Sequence, residues 1–142
     1  MKNVTPKECP ALLAAGYAYL DVRTVEEFEA GHPAGAYNVP VMTRGPMGMQ
    51  PNPAFAKVVA AQFPKTAKLV VGCQSGMRSL RACEELAAAG FTDVANMECG
   101  FGGARDPYGN VTPGWQACGL PTESGKPAGR TYAEIQAAAK AR

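Results

Sequence analysis

The stretch KLVVGCQSGMRSLRACEELAAAG, residues 68–90, decides the fold. Its first part, Lys68 to Cys73, is an apolar run that ends on a cysteine, as a buried strand of a parallel sheet does. From about Arg78 to Ala89 the apolar positions follow a helical spacing, and Gly90 stands where a helix C-cap belongs. The stripe consists of Leu80, Cys83, Leu86 and Ala87. This pattern predicts a strand, a short loop and a helix, with Cys83 in the core.

Strand and helix signals alternate along the rest of the chain as well. Several predicted helices begin with a capping pattern, a threonine followed three positions later by a glutamate. Strands are predicted at Tyr17–Val22, Ala36–Val39 and Asp93–Met97, and helices after Thr5, over about Val25–Ala30, from Asn52 to Pro64 and after Thr131. Proline and glycine predict loops over residues 40–53 and 100–114. The alternation is typical of a parallel α/β sheet covered on both faces.

Length and charge limit the classes of function. The 142 residues match one domain, and 46% hydrophobic content is enough for one core. Fourteen basic and twelve acidic side chains give a net charge of +2 without any basic run, so we expect no nucleic acid partner. The apolar residues 11–20 are too few to span a membrane and lead into Asp21 without a cleavage site, so we expect neither export nor a membrane partner.

Cysteine and histidine usage argues against disulfides and metals. The five cysteines, an odd number, are widely spaced in a chain long enough to fold without disulfides, so we expect a reducing compartment, the cytoplasm. No Cys-x-x-Cys pair occurs, and His32 is the only histidine. A zinc site would lack the usual local spacing of its ligands. We therefore expect no metal and no cofactor.

The loop after Cys73 carries the chemistry. A residue at the carboxyl end of a parallel strand stands where α/β folds bind ligands. The next four residues can curl so that their backbone N–H groups converge, and the following helix N-terminus adds positive potential. Such a cradle binds anions and favours a thiolate at Cys73. A histidine partner is not required, since His32 lies in a Gly-His-Pro turn that we expect it to hold together.

Individual loop residues have separate expected roles. Gly76 permits a backbone geometry denied to other residues, and Ser75 and Ser79 offer hydroxyl donors. Arg78 can stabilise the loop through its planar donors or bind an incoming anion. The alternative is that Cys73 is an ordinary strand-end cysteine and Arg78 a surface charge. Spacing alone does not separate these two interpretations.

The segment from Cys73 to Ser79, CQSGMRS, resembles the active-site loop of the rhodanese superfamily. Other segments with similar counterparts follow in the same order: Tyr19–Thr24 with Glu26, Glu27 and Phe28, then Gly31 and His32, Gly35–Pro40, Trp115, and Gly119–Pro121. The resemblance runs from about residue 17 to residue 121. It is strongest to small one-domain members of plants and bacteria, which share the methionine- and glycine-containing loop before Asn52.

The resemblance implies a three-layer α/β domain with a mostly parallel five-stranded sheet flanked by helices. It assigns residues 1–121 to the domain, with a longer loop at about residues 104–114, and leaves residues 122–142 as a linker and a C-terminal helix. Two departures stand out. Pro33 and Ala34 occupy positions where the family has isoleucine and proline, so that turn is expected to be rebuilt, and the long loop either covers the site or lacks a role.

The resemblance also implies the activity. Cys73 would take sulfane sulfur from thiosulfate or a persulfide and pass it to cyanide or a thiol, with ping-pong kinetics. The substrate-binding residues would be Gln74, Ser75, Gly76, Met77, Arg78 and Ser79. Asp21 and Arg23 match positions near the mouth of the site, where they would support the pocket. Strand-end packing and a surface ion pair explain these two residues equally well.

Three functions remain open at this point. The first is an enzyme that uses small donors and acceptors, and the second is a persulfide carrier that serves a protein partner. The third, a phosphatase-like or arsenate-reductase-like enzyme, is disfavoured because relatives with those activities have one more residue between the cysteine and the arginine than the four found here. Met77 and the methionines at 42, 47 and 49 would form an apolar rim or simply fill gaps in the core.

Overall fold

The computed structural model describes residues 2–141. The strands are β1 (Lys2–Val4), β2 (Ala18–Asp21), β3 (His32–Pro33), β4 (Tyr37–Asn38), β5 (Met42–Gly45), β6 (Gly48–Pro51), β7 (Lys68–Gly72), β8 (Asp93–Met97), β9 (Ala104–Arg105), β10 (Val111–Thr112) and β11 (Thr122–Glu123). The helices are α1 (Cys9–Ala14), which follows a 3-10 turn at Pro6–Glu8, α2 (Val25–Ala30), α3 (Phe55–Gln62), α4 (Met77–Ala88) and α5 (Tyr132–Lys140).

A five-stranded sheet forms the centre of the molecule. Its strand order is β1-β8-β7-β2-β4, and every neighbouring pair is parallel. The expected α/β fold with a five-stranded parallel sheet is therefore confirmed. The edge strand β1 was not predicted from the sequence, because three residues before a helix signal show no periodicity. Its Asn3 lies in register with Asn96 of β8.

Two apolar layers cover the two faces of the sheet. In β7, Leu69 and Val71 point into one cluster while Val70 points into the other, as the alternation of a strand requires. The first cluster receives α3, α4 and α5, and the second receives α1, α2 and Trp115. The three-layer arrangement follows from this division of side chains.

Helix α4 buries a face one step away from the predicted stripe. Cys83 and Leu86 are buried as expected, but Leu80 and Ala87 are exposed. The buried face consists of Ser79, Ala82, Cys83 and Leu86. Because Ser79 bonds to other buried polar groups, it can occupy a core position that the apolar pattern assigns to Leu80.

Three segments predicted as loop or linker contain short antiparallel pairs. Residues 42–51 form the hairpin β5–β6, the long loop contains the hairpin β9–β10, and β11 pairs with β3. The prediction of a loop without strands is therefore wrong for residues 42–51 and for the β9–β10 segment of the long loop. The strands were not recognisable because they are two to four residues long and lack an alternation of apolar and polar positions.

The last helix packs on the body of the domain. Ile135 of α5 is buried in the first apolar cluster, which also contains Phe55 and Val58 of α3. Between residues 2 and 141, no helix is long and apolar enough to cross a membrane. Within the same range, no three histidine, cysteine or acidic side chains are grouped so that they could hold a metal ion.

Candidate active site

Cys73 follows β7 directly and is held by the loop that leads into α4. The residue is 1% exposed, and the backbone N–H of Gly76 donates a hydrogen bond to its Sγ over 3.1 Å. Gly76 has a φ of +104°, a left-handed conformation that favours glycine. That conformation turns the chain back on Cys73, so the glycine allows the loop to close over the sulfur.

Ser79 lies beneath the sulfur, on the buried side of α4. Its Oγ is 3.4 Å from the Sγ of Cys73 and 3.1 Å from the carbonyl oxygen of Gly76. Ser79 Oγ is also 2.6 Å from Oδ1 of Asn96 on β8. The structure therefore brings Cys73, Gly76 and Ser79 together, and it adds Asn96, which the sequence did not indicate.

Arg78 ties the loop to α2. Its Nη1 and Nη2 donate to the two carboxylate oxygens of Glu27 over 2.7 Å and 2.9 Å. Glu27 also accepts from the backbone N–H of Thr24. Burial opposes ionisation, yet the bonds from Arg78 and Thr24 lower the pKa of Glu27 to about 2. The Arg78 guanidinium is thus engaged by a carboxylate, which favours the loop-stabilising role over the binding of an incoming anion.

Asp21 and Arg23 form a buried ion pair beside the loop. The distance from Nη2 of Arg23 to Oδ2 of Asp21 is 2.8 Å, and both residues are nearly inaccessible. Arg23 also donates to the side-chain oxygen of Gln74 over 3.2 Å, and its guanidinium lies 4.5 Å from the ring centre of Phe101. The interpretation as a surface ion pair is wrong, since the pair is buried and connects β2 to the loop.

The segment after β8 supports the loop from behind. The N–H of Phe101 donates to the carbonyl of Cys73 over 2.7 Å, and that of Gly102 donates to the carbonyl of Gln74 over 2.9 Å. A Cβ at Gly100 would lie 2.4 Å from the Cys73 carbonyl oxygen. Only glycine fits at this point. The glycines at 100, 102 and 103 were a signal of this close approach that the loop prediction did not use.

His32 serves a separate structural purpose. Its Nδ1 is 2.6 Å from the carbonyl oxygen of Phe28, its Nε2 is 3.1 Å from a carboxylate oxygen of Glu123, and its ring stacks on that of Phe28. The imidazole holds the turn after α2, as the sequence suggested, and fastens it to β11. Its two ring nitrogens are thereby engaged away from Cys73.

A cleft opens in front of the loop. Its walls include Arg23, Glu27, Gln74, Phe101 and Gln116, and its volume is about 520 Å³. Gln74 and Ser75 are exposed at the loop surface. Gln74 brings the loop to this cleft, while the Cys73 side chain itself is buried and does not line it.

The family model of the rhodanese-like domain matches residues 5–105, most of the chain. The chain belongs to the rhodanese-like domain family. All of the candidate site residues, from Asp21 to Phe101, lie inside the match. Strand β1, most of the β9–β10 hairpin and helix α5 lie outside it.

Known proteins that resemble this rhodanese-like chain include two with informative names. The chain is 45% identical over 113 residues to thiosulfate sulfurtransferase 16, chloroplastic, of Arabidopsis thaliana, covering 80% of this chain and 85% of the relative. It is 39% identical over 98 residues to thiosulfate:glutathione sulfurtransferase of Homo sapiens, covering 66% and 84%. The crystal structure of Rv0390 from M. tuberculosis superposes with a TM-score of 0.73 at 28% identity, covering 88% and 98%.

Proposed function

We propose that this rhodanese-like domain is a sulfurtransferase in which Cys73 carries sulfane sulfur as a persulfide. The observation that carries the proposal is the 3.1 Å hydrogen bond from the Gly76 N–H to the buried Sγ of Cys73. A backbone donor at this position can donate a hydrogen bond to a thiolate or to a persulfide sulfur. Relatives that are named sulfurtransferases support the same activity.

The proposed first half-reaction forms the persulfide. The Cys73 thiolate attacks the outer sulfur of thiosulfate, a new S–S bond forms, and the S–S bond of the donor breaks. Sulfite leaves with the electron pair of that bond. The outer sulfur of the resulting persulfide then lies at the cleft, where donors of the loop stabilise its negative charge.

The second half-reaction returns the enzyme to its starting state. An acceptor thiolate or cyanide attacks the outer persulfide sulfur, and Cys73 departs as a thiolate. A persulfide or thiocyanate is released. Because the enzyme alternates between two covalent states, ping-pong kinetics are expected. A thiol acceptor is supported by the human relative named thiosulfate:glutathione sulfurtransferase.

A persulfide carrier for a protein acceptor is the second candidate. Met77, the first residue of α4, is 76% exposed, and Met47 and Met49 on the β5–β6 hairpin are also exposed. These three side chains do not fill gaps in the core, so that interpretation is wrong for them. Exposed methionines adapt to the surface of a partner. Steady-state thiocyanate formation from thiosulfate and cyanide separates an enzyme from a carrier, which would load sulfur without turning over.

Mass spectrometry of the intact protein tests the proposed function. Incubation with thiosulfate should add one sulfur atom, and Cys73→Ser should abolish the gain. If sulfur still loads on Cys73→Ser and is lost on Cys99→Ser or Cys118→Ser instead, the assignment of Cys73 is wrong. Hydrolysis of an aryl phosphate that depends on Cys73 would support the phosphatase alternative, which the four-residue spacing disfavours. The five free cysteines support a reducing compartment, with the cytoplasm as our proposal.

A further inference from the structure

A chain of polar side chains runs from Cys73 away from the cleft. Ser79 Oγ lies 3.4 Å from the sulfur, Asn96 Oδ1 lies 2.6 Å from Ser79 Oγ, and Asn96 Nδ2 donates to Oδ1 of Asn3 over 3.2 Å. Ser79 is inaccessible and Asn96 is 5% exposed, whereas Asn3 reaches the surface. The chain crosses from α4 through β8 to β1. Within residues 2–141, the buried hydroxyl of Ser79 links the sulfur to the asparagine pair.

When Cys73 is a thiol, the number of donor hydrogens on each side chain indicates the direction of the hydrogen bonds from Cys73 to Asn3. The S–H donates to Ser79 Oγ, and the single Ser79 hydroxyl hydrogen points to Asn96 Oδ1, the nearest acceptor. The Asn96 amide then donates to Asn3. Each of these hydrogen bonds is therefore donated in the direction away from the sulfur.

Ionisation of Cys73 reverses the demand on Ser79. The thiolate has no hydrogen to donate and needs donors, so the Ser79 hydroxyl hydrogen is best placed on the sulfur. The oxygens of Ser79 and Asn96 would then face each other at 2.6 Å with no hydrogen between them. Two buried acceptors in that position repel each other, and Asn96 Oδ1 is left without a donor.

A half-turn of the Asn96 side-chain amide removes this conflict. Oxygen and nitrogen of an amide have nearly the same size, so the turn places Nδ2 against Ser79 Oγ without a steric clash. Asn96 Oδ1 then faces Asn3, whose exposed amide can turn or bind water. The carbonyl of Gly76 accepts from the N–H of Leu80, so it has a partner in both states of the Ser79 hydroxyl.

We propose that Asn96 is a positioning residue whose amide turns when Cys73 loses its proton, so that Ser79 can donate to the thiolate. The thiol proton passes to solvent, and no other bond forms or breaks. The proposal rests on the proposed function, in which the Cys73 thiolate reacts, and it adds a role for the Asn96 side chain of β8. The experiment requires no sulfur donor. A failure of sulfur loading can therefore be distinguished from a failure of the hydrogen-bond relay formed by Ser79 and Asn96.

Other ionisable groups interact electrostatically with Cys73. The groups that interact with it are Tyr19 on β2 and Arg78 and Cys83 on α4. Burial raises the pKa of Tyr19 well above its usual value and the pKa of Cys83 to about 12. The bond to Glu27 raises the pKa of Arg78.

A double-mutant cycle on the thiolate titration tests the proposal. The titration is read as the difference in thiolate absorbance between each protein and its Cys73→Ser counterpart. Asn96→Asp, in its ionised form, places a group beside Ser79 that only accepts hydrogen bonds, so it should hold the Ser79 hydroxyl away from the sulfur. We expect it to raise the titration midpoint by about one pH unit more with Ser79 present than in a Ser79→Ala background, the size of one hydrogen bond to a charged group.

Direct repulsion between the new carboxylate and the thiolate occurs in both backgrounds, so only the difference between the two shifts reports the relay. Equal shifts in both backgrounds would overturn the proposal. The unmutated protein gives an independent test that does not depend on variants that fold. The side-chain amide signals of Asn96 in an NMR titration should move with the same midpoint as the thiolate. Amide signals that stay constant through that midpoint would also overturn it.

Discussion

At the scale of single residues, Glu27 links the active-site loop to α2. Its carboxylate accepts hydrogen bonds from both terminal nitrogens of Arg78 and from the backbone N–H of Thr24 at the start of the helix. Replacement of Glu27 by glutamine retains the capping function, since glutamine also serves in a capping box, and removes only the charge and the paired contact. The substitution therefore isolates the ion pair from the cap.

We expect Glu27→Gln to lower the free energy of unfolding by about 1 kcal/mol, a small value because both partners reach solvent. The rate of sulfur loading on Cys73 should fall by more than the small loss of stability would explain, because Arg78 would no longer fix the loop. Urea unfolding and the rate of mass gain with thiosulfate measure the two effects. Glu26→Gln, at the exposed neighbouring position, is the matched control and should change neither.

The same ion pair predicts a dependence of stability on pH. The pKa of Glu27 is lowered from 4.5 to about 2 in the folded protein. A carboxyl with a lowered pKa contributes stability that is fully present above pH 4.5 and is lost as the pH falls toward 2. The difference in unfolding free energy between the unmodified protein and Glu27→Gln should therefore shrink in that range. A difference that stays constant through the acid range would contradict the role of this pair.

Sequence reasoning at this scale worked where the geometry is local. Cys73, Gly76 and Ser79 belong to one strand, loop and helix, so their spacing alone brings them together. Glu27 and Asn96 reach the site from other elements, and their contacts depend on how those elements pack. Glu27 was visible only as part of a capping pattern, and Asn96 only as a polar residue in an apolar strand.

At the scale of elements, the turn after β8 determines where the loop lies. Gly100 has a φ of +60°, and a Cβ there would meet the backbone of both Cys73 and Gln74. Gly100→Ala should displace the loop and lower sulfur loading at least tenfold, with a loss of about 1 to 3 kcal/mol in stability. The rate of mass gain and urea unfolding test this expectation.

Gly119→Ala is the matched control for Gly100→Ala. Gly119 also has a positive φ, +73°, but nothing lies within 4 Å of an added Cβ. It should therefore carry the backbone strain without the collision, and sulfur loading should be retained. If the two variants lose loading equally, strain rather than contact with the loop explains the effect.

Elements were predicted where a clear period exists. The bounds of α2 and β8 agree with the sequence pattern, because a capping box and an apolar strand mark them. The hairpin β5–β6 gave no such pattern, since its residues are mostly exposed and its strands lie outside the central sheet. Hydrophobic periodicity indicates burial, and an exposed hairpin buries too little to produce it.

At the scale of the whole molecule, one apolar cluster lies on each face of the sheet, and the C-terminal helix packs into one of the two. Ile135 of α5 belongs to the same apolar cluster as Cys73, and Trp115 packs in the cluster on the opposite face. The division of the chain at residue 121 into a domain and a linker with a helix remains a prediction. The packing of Ile135 supplies a way to test it.

We expect Ile135→Ala to destabilise the whole domain by about 2 to 4 kcal/mol, because a buried isoleucine side chain is lost and the site cannot fully collapse. Urea unfolding followed by the fluorescence of Trp115, the only tryptophan, should shift together with unfolding followed by circular dichroism. Lys140→Ala, on an exposed position of the same helix, should stay within about 0.5 kcal/mol. If the fluorescence transition is unchanged while helical signal is lost, α5 unfolds on its own and the domain ends before it. Coincident transitions mean that a helix outside the family match belongs to the cooperative unit that holds Cys73.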